Sequence, residues 1–336
     1  MIDPHRNSLG VGATAATTAG LIWGLAFLVP VVLDEWNPVI VTAGRYLAYG
    51  VVTGVIFLMA GRDLRRIARR HWRPALCYAI TGNVGYYLLL VVGIHTIGAP
   101  VTDLVIGCIP VALAVVGNIV LPAYSWRRLV LPIALVLVGL TIVNALELAG
   151  THTYSHAPTG HKLAGLAAAS GAVALWTWYG IANTRFLTEH RSVSPAAWST
   201  IVGVATGILT LAALPLAWAT GQLVVPSVDG SSAVVTLILG TAVLGVVVSW
   251  GGTSLWNTAS RRLPPTIAGL LINVETLAGY AYVYAARQQW PPIGQLAGFA
   301  LILLGVVLVL YRQPPAGVTT LGAHAHRQQS SRALPE

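Results

Sequence analysis

Apolar residues gather along this chain into ten long runs, near 11–33, 38–60, 74–95, 98–121, 129–147, 163–184, 196–219, 233–259, 264–286 and 292–311, separated by short polar connections. A helix needs roughly 20 apolar residues to cross about 30 Å of hydrocarbon. Each run therefore predicts one spanning helix, and the chain as a whole an all-α integral membrane protein. The longest expected outer connection, 148–162 (AGTHTYSHAPTGHKL), divides the spans into a first five-helix unit, 11–147, and a second, 163–311. An odd number of spans per unit makes the two insert with opposite orientation, the inverted-repeat plan of many secondary transporters.

Internal similarity supports that division. GLIWGLAFLVPVV aligns with VALWTWYGIANTR, pairing Trp23 with Trp176. LVVGIHTIGAPVTDLVIGCIPV aligns with WNTASRRLPPTIAGLLINVETL, placing Gly93 on Ala259, Gly98 on Pro264 and Pro110 on Thr276. Repetition of one unit along a chain leaves this kind of trace.

Charge orients the spans. Arginines fall on alternate connections: Arg6; Arg62, Arg65, Arg66, Arg69, Arg70 and Arg73; Arg127 and Arg128; Arg185 and Arg191; Arg261 and Arg262; then Arg312, Arg327 and Arg332. The other face carries Lys162 and Arg287 beside Asp34, Glu35, Glu147 and Asp229. Basic residues are retained on the cytoplasmic side, so residues 1–10 and the tail 312–336 are expected in the cytoplasm, with 148–162 on the opposite face. The tail, polar and interrupted by Pro and Gly, is expected to be disordered. The first apolar run is too long for a signal-peptide core and is read as a retained helix.

Composition removes several function classes. Charged residues are 9% of the chain and apolar ones 56%, too little polar surface for a water-soluble globule. The net charge of +9 is spread over short loops on one face, which suits contact with anionic membrane lipids rather than nucleic acid. Cys77 and Cys108 each sit within a span and are read as small packing residues, not a disulfide or metal pair. His152, His156 and His161 read as surface-loop residues, and His324 and His326 as part of a solvated tail. Neither group predicts a metal site. A Walker-type loop is absent, as are the Gly-x-Ser-x-Gly and His-Glu-x-x-His signatures. No cofactor is expected and enzymatic chemistry is disfavoured.

Ionisable groups within spans are expensive and should face protein or water. Glu275 lies about eleven residues into its helix, near mid-membrane at 1.5 Å per residue. It suits either recognition of a substrate amine and proton cycling, or a structural hydrogen-bonded carboxyl. Arg45 and Asp103 sit at similar depths below the outer surface, so a structural ion pair between them is expected, with Arg45 gripping a substrate carboxylate as the alternative. Asp103 heads a stripe of Gly107, Pro110, Ala114 and Gly117, which lets another backbone approach closely. Pro110 predicts a bend. Tyr280, Tyr282, Tyr284, Trp36, Trp72, Trp126 and Trp290 read as interfacial anchors.

The Trp-Gly of IWGLAF, the Arg45-Tyr46-Leu47 of AGRYLAYG, the GIHTIGAP turn with its following CIPV, and RRLPPTIAGLLINVETL together resemble the EamA-type members of the drug/metabolite transporter superfamily, over most of residues 15–311. One departure is Thr276 after Glu275, where the family usually has Pro. The resemblance implies two inverted five-helix repeats, a central cavity lined mainly by spans one, three, four, six, eight and nine, and passage of small organic solutes such as amino acids, often as export.

On those implied cavity helices, polar and aromatic residues share faces. Trp176, Tyr179 and Asn183 lie at i, i+3 and i+7, as do Trp250, Ser254 and Asn257, and Asn83 pairs with Tyr86 or Tyr87. Such faces can bind solute or bond helix to helix, and sequence leaves both open. The expectation is a multi-pass secondary transporter of the cytoplasmic membrane, monomeric, moving a small metabolite by alternating access. Its substrate-binding set would be Trp23, Asn83, Tyr87, Trp176, Tyr179, Trp250, Ser254 and Glu275. A membrane-embedded enzyme acting on lipid or peptide, and a non-transporting receptor or scaffold, are the rival readings.

Overall fold

The computed structural model describes residues 4–150, 159–226 and 231–311. Ten long helical rods run through them: α1 (Leu9–Val32), α2 (Pro38–Met59), α3 (Arg62–Ile97), α4 (Val101–Val120), α5 (Trp126–Leu146), α6 (Thr159–Glu189), α7 (Pro195–Ala219), α8 (Ser231–Ser260), α9 (Pro265–Ala286) and α10 (Ile293–Tyr311). Nine are long and apolar enough to span a membrane; α6, at 31 residues, is less apolar because Trp176, Thr177, Trp178 and Tyr179 stand in it. No strand occurs among the described residues. His152, His156, Asp229, most of the linker and the whole tail fall outside them, as do His324, His326 and the side chain of Glu147.

The packing is symmetric under exchange of the two halves. α2 lies on α7, α4 on α9 and α5 on α10, each pair joining equivalent helices. The contact of α1 with α8 is repeated by that of α6 with α3, and α2 with α8 by α7 with α3. Capping repeats as well. Asn37 accepts a hydrogen bond from Val39 N (2.8 Å) ahead of Pro38, and Ser194 one from Ala197 N (3.1 Å) ahead of Pro195. A capping side chain followed by Pro at the first helical position starts a helix twice over.

The helix irregularities follow the same rule. Aligning Gly93 with Ala259 sets a shift of 166 positions (259 less 93). That shift carries the π-helical turn Ile80–Val84 of α3 to 246–250, inside the π-helical stretch Val243–Gly252 of α8. The break of α4 at Gly107–Cys108 maps to within two residues of the break of α9 at Ile272. Where α5 meets α10, a Cβ on Gly139 would lie 2.6 Å from the Gly298 carbonyl, and one on Gly305 2.8 Å from the Pro132 carbonyl. The 166-residue shift converts the first contact into the second.

Four expectations need correction. The arginine-rich connection expected between the second and third spans is helical and forms the first turns of α3, since Arg62 to Arg70 carries its apolar residues on one side. The bend in α4 falls at Gly107–Cys108, and Pro110 opens the second segment, where its missing N–H costs no helical bond. Trp36 is buried among Val29, Leu33, Val41, Leu244 and Val248, not held at the interface. Cys77 and Cys108 are exposed instead of packed. The small-residue stripe of α4 does meet another backbone: Gly117 lies against Pro265, and Ala114 N beside Gly269.

Candidate functional site

The break in α9 positions the first candidate. Ile272 ends a short segment from Pro265 and Asn273 begins another to Ala286, so Glu275 stands in a first helical turn deep in the bundle. The partial positive charge of a helix N-terminus favours a carboxylate there. Gly20 of α1 lies against this turn, where a Cβ would come 3.0 Å from Glu275 N. Beside it, Asn273 is fully buried; its Nδ2 donates to the Leu270 carbonyl (2.9 Å), while its Oδ1 has no partner among the described residues.

Arg45 approaches from α2. Its Nε donates to Ser249 Oγ (2.9 Å) in the π-helical stretch of α8, and its guanidinium lies 5.6 Å from the Tyr46 ring centroid. Glu275 is within electrostatic reach of Arg45. Tyr86 of α3 joins the group: Glu275, Tyr46, Arg45 and Asp103 all act on its hydroxyl. Arg45 and Glu275 are half-buried and Asp103 is exposed. Arg45, Glu275, Asp103, Tyr46 and Tyr86, from α2, α3, α4 and α9, are thus within electrostatic range of one another, with Arg45 held by Ser249.

Aromatic rings form a second group on the central helices. The Trp23 and Trp256 centroids are 5.6 Å apart, Trp176 and Trp256 6.0 Å, Trp176 and Tyr179 5.9 Å, and Tyr179 and Tyr78 5.8 Å. This chain of rings crosses α1, α8, α6 and α3. Trp23 Nε1 donates to the Val248 carbonyl (3.1 Å), one of the acceptors in a stretch where π-helical turns disturb the usual pairing.

The remaining sequence candidates hold helices together. Asn83 Nδ2 donates to Thr206 Oγ1 (2.9 Å) on α7, Tyr87 Oη to the Pro38 carbonyl (3.1 Å), and Trp250 Nε1 to Thr200 Oγ1 (3.1 Å). Ser254 Oγ donates back along its own helix to the Trp250 carbonyl (2.7 Å). Asn183 and Asn257 meet across α6 and α8 at 2.9 Å, and Asn183 Oδ1 also accepts from Trp198 Nε1 (2.9 Å). Satisfied amides of this kind stabilise helix contacts in lipid.

Sequence reasoning passed over Tyr46, Ser249 and Trp256, and weighted Tyr87 above Tyr86. A π turn adds a residue to the helix and rotates everything after it by about 100°. The turn at Ile80–Val84 therefore breaks the i, i+3 spacing that links Asn83 to the tyrosines. Trp256, 1% exposed, sits one and a half turns from Trp250 and carries a signal only when paired with Trp23.

Known proteins share this plan. A profile of the EamA-like transporter family matches residues 10–145, the first five-helix unit. The inner membrane protein YtfF of Escherichia coli (strain K12) is 33% identical over 314 residues, 92% of this chain and 97% of that protein. A crystal structure of a further protein, 20% identical, superposes with a TM-score of 0.70 over 90% of this chain and 97% of that one, which shows a shared fold. On the strength of its helices, its repeated halves and these relatives, the chain belongs to the EamA-like transporter family of the drug/metabolite transporter superfamily and is a membrane transporter.

Proposed function

We propose that this protein is a secondary transporter of the cytoplasmic membrane that moves a small zwitterionic metabolite of the amino-acid type by alternating access, with both termini in the cytoplasm. The observation that carries this reading is the placement of Glu275 in the first turn after the break in α9, within electrostatic reach of Arg45, which is held by Ser249 of α8. A planar guanidinium suits a substrate carboxylate. A carboxylate within electrostatic reach of it suits an ammonium group, and a buried charge of either sign is costly without such a partner.

Trp23 and Trp176, both half-buried, supply the apolar wall for a side chain or carbon skeleton, with the buried Trp256 and Tyr179 packed behind them. Asn83, Tyr87, Trp250 and Ser254 act at the edge, where their bonds to α7, α2 and the α8 backbone hold the wall helices in register. Asp103 and Arg45 share the field at Tyr86, and a pairing between them locks α2 to α4 when the site is empty. Symmetric packing gives the motion: each half rocks as a unit about α2·α7 and α4·α9. The chain works as a monomer, because each half supplies the other's partner. Export and import use the same geometry, and the gradients decide between them.

Counterflow in proteoliposomes tests the reading, with a mixture of labelled neutral amino acids as substrate. Wild-type protein accumulates label. Glu275→Gln and Arg45→Gln each lower the rate at least about thirtyfold, the loss expected when one buried charged contact worth about 2 kcal/mol is removed. Equal transport of an amine lacking a carboxylate, together with an unimpaired Arg45→Gln variant, would show that Arg45 does not recognise substrate.

A further inference from the structure

The arginines of the first turns of α3 form a built surface. Six of the twelve residues from Arg62 to Arg73 are arginine, and Asp63 is the acid among them. Pro74 cannot donate to the Arg70 carbonyl and its ring crowds that carbonyl, so the helix breaks one residue later, at His71 (φ −120°, ψ 24°). The break separates an amphipathic arm, Arg62–Arg70, from the spanning part of α3. Leu64, Ile67 and Ala68 hold the arm down on a cluster containing Tyr78, Phe186 and Trp198.

Two adjoining solvent-open hollows flank the arm. One, of about 410 Å³, is lined by Arg62, Arg65, Arg66 and Arg69; the other, of about 370 Å³, by Phe57, Arg65, Ala68, Arg69 and Trp72. Arg65 and Arg69 stand on the wall between them. Arg65 Nη2 donates to the Leu58 carbonyl (3.0 Å), which fixes its fork, and the Arg73 guanidinium lies 5.4 Å from the Trp72 ring centroid. Next to the second cavity, Leu58, Met59 and Trp72 are exposed by 72%, 83% and 55%. Four guanidinium groups within two turns repel one another unless an anion lies between them. An anion with an apolar tail would cover the exposed carbons too.

We propose that these two cavities bind the headgroup of one anionic phospholipid with two phosphodiesters, a diphosphatidylglycerol, from the leaflet beside the arm. One phosphate sits among Arg62, Arg65, Arg66 and Arg69, and the second between Arg65, Arg69 and the Trp72 edge. The bidentate forks match phosphate oxygens, while an acyl chain runs over Phe57, Leu58 and Met59. A free inorganic phosphate would use the first cavity and leave the second, with its aromatic lining, unused. Bound lipid would pin the arm, and through it the start of α3, to the membrane surface.

Native mass spectrometry of the delipidated full-length protein tests this. The probes are tetraoleoyl diphosphatidylglycerol, dioleoyl phosphatidylglycerol and dioleoyl phosphatidylcholine, each with and without inorganic phosphate. One diphosphatidylglycerol should bind per chain in preference to the others. The Arg65→Gln/Arg69→Gln double variant should bind it about thirtyfold more weakly, the effect of two basic contacts at an anionic surface. Arg185→Gln/Arg191→Gln, which removes the same charge from exposed positions elsewhere, should lose less than about threefold. Should the first double variant fail to fold, Arg62→Gln/Arg66→Gln gives the same reading from the first cavity. Equal weakening by the control pair would reduce the site to diffuse charge. Equal binding of the one-phosphate lipid would remove the second subsite, and displacement by equimolar inorganic phosphate would make it a soluble-anion site. Any of these overturns the proposal.

Discussion

Gly50 and Gly207 mark where α2 crosses α7, and replacing Gly50 with Ala tests how tightly the two halves are joined. A Cβ on either glycine would lie 2.6 Å from the other's Cα, backbone against backbone, with no side chain able to swing away. Carbon atoms rest about 3.5–4.0 Å apart, so the helices must separate by about 1 Å. The same interface carries the hydrogen bond from Tyr49 Oη to the Ser199 carbonyl (2.8 Å), which would lengthen. Overpacking of this kind costs about 1–3 kcal/mol, against up to about 1 kcal/mol gained from the better helix propensity of Ala. The net expectation is a loss of about 1–2 kcal/mol. Gly54, one turn further on the same helix, has open space where its Cβ would go. Gly54→Ala should be neutral or stabilising by up to about 1 kcal/mol. Unfolding in mixed micelles with increasing dodecyl sulfate measures both. If Gly50→Ala is no less stable than Gly54→Ala, the close crossing is not a determinant of how the halves join.

Three further outcomes are expected. Asn183→Leu strands Trp198 Nε1 and Asn257 Oδ1 inside the bundle and should cost about 2–4 kcal/mol in the same unfolding assay; a loss below about 0.5 kcal/mol would mean that water replaces the amide. Asn118 accepts from Ala123 N (3.2 Å) and Tyr124 N (3.1 Å) and donates to the Tyr124 carbonyl (3.0 Å), closing the turn from α4 into α5. Asn118→Ala should lower stability by about 2 kcal/mol, and Asn118→Asp, which keeps the acceptor, by less. With Cys77 and Cys108 changed to Ser, an impermeant maleimide should reach Ser125→Cys and Gln289→Cys from opposite faces of the membrane. Labelling of both from one face would refute the inverted arrangement.

Helix number, length and order were legible because hydrocarbon thickness imposes one length on every span and leaves few alternatives. The repeat was legible at Gly98 and its counterpart Pro264, which stand at the turns that open α4 and α9. Less accessible was everything that depends on rotation about a helix axis. The π turns at Ile80–Val84 and Val243–Gly252 have no residue signature in this chain, yet such turns set which side chains face inward, as where Ser249 meets Arg45. Trp36 misled because tryptophan suits both a membrane interface and a core, and its burial by α8 depends on a partner some 200 residues away. Arg62–Arg70 looked like a loop for want of apolar residues, although an arm lying on a surface needs only one apolar side.

The exchange that turns the Gly139·Gly298 contact into Gly305·Pro132 means that each five-helix unit carries both the socket and the plug of its own junction. Two copies of a single unit, threaded into the bilayer head-up and head-down, would meet with the same surfaces in the same places. At this junction a half-length chain thus already carries the surface needed to meet an inverted second copy, and fusion of the two leaves each free to diverge.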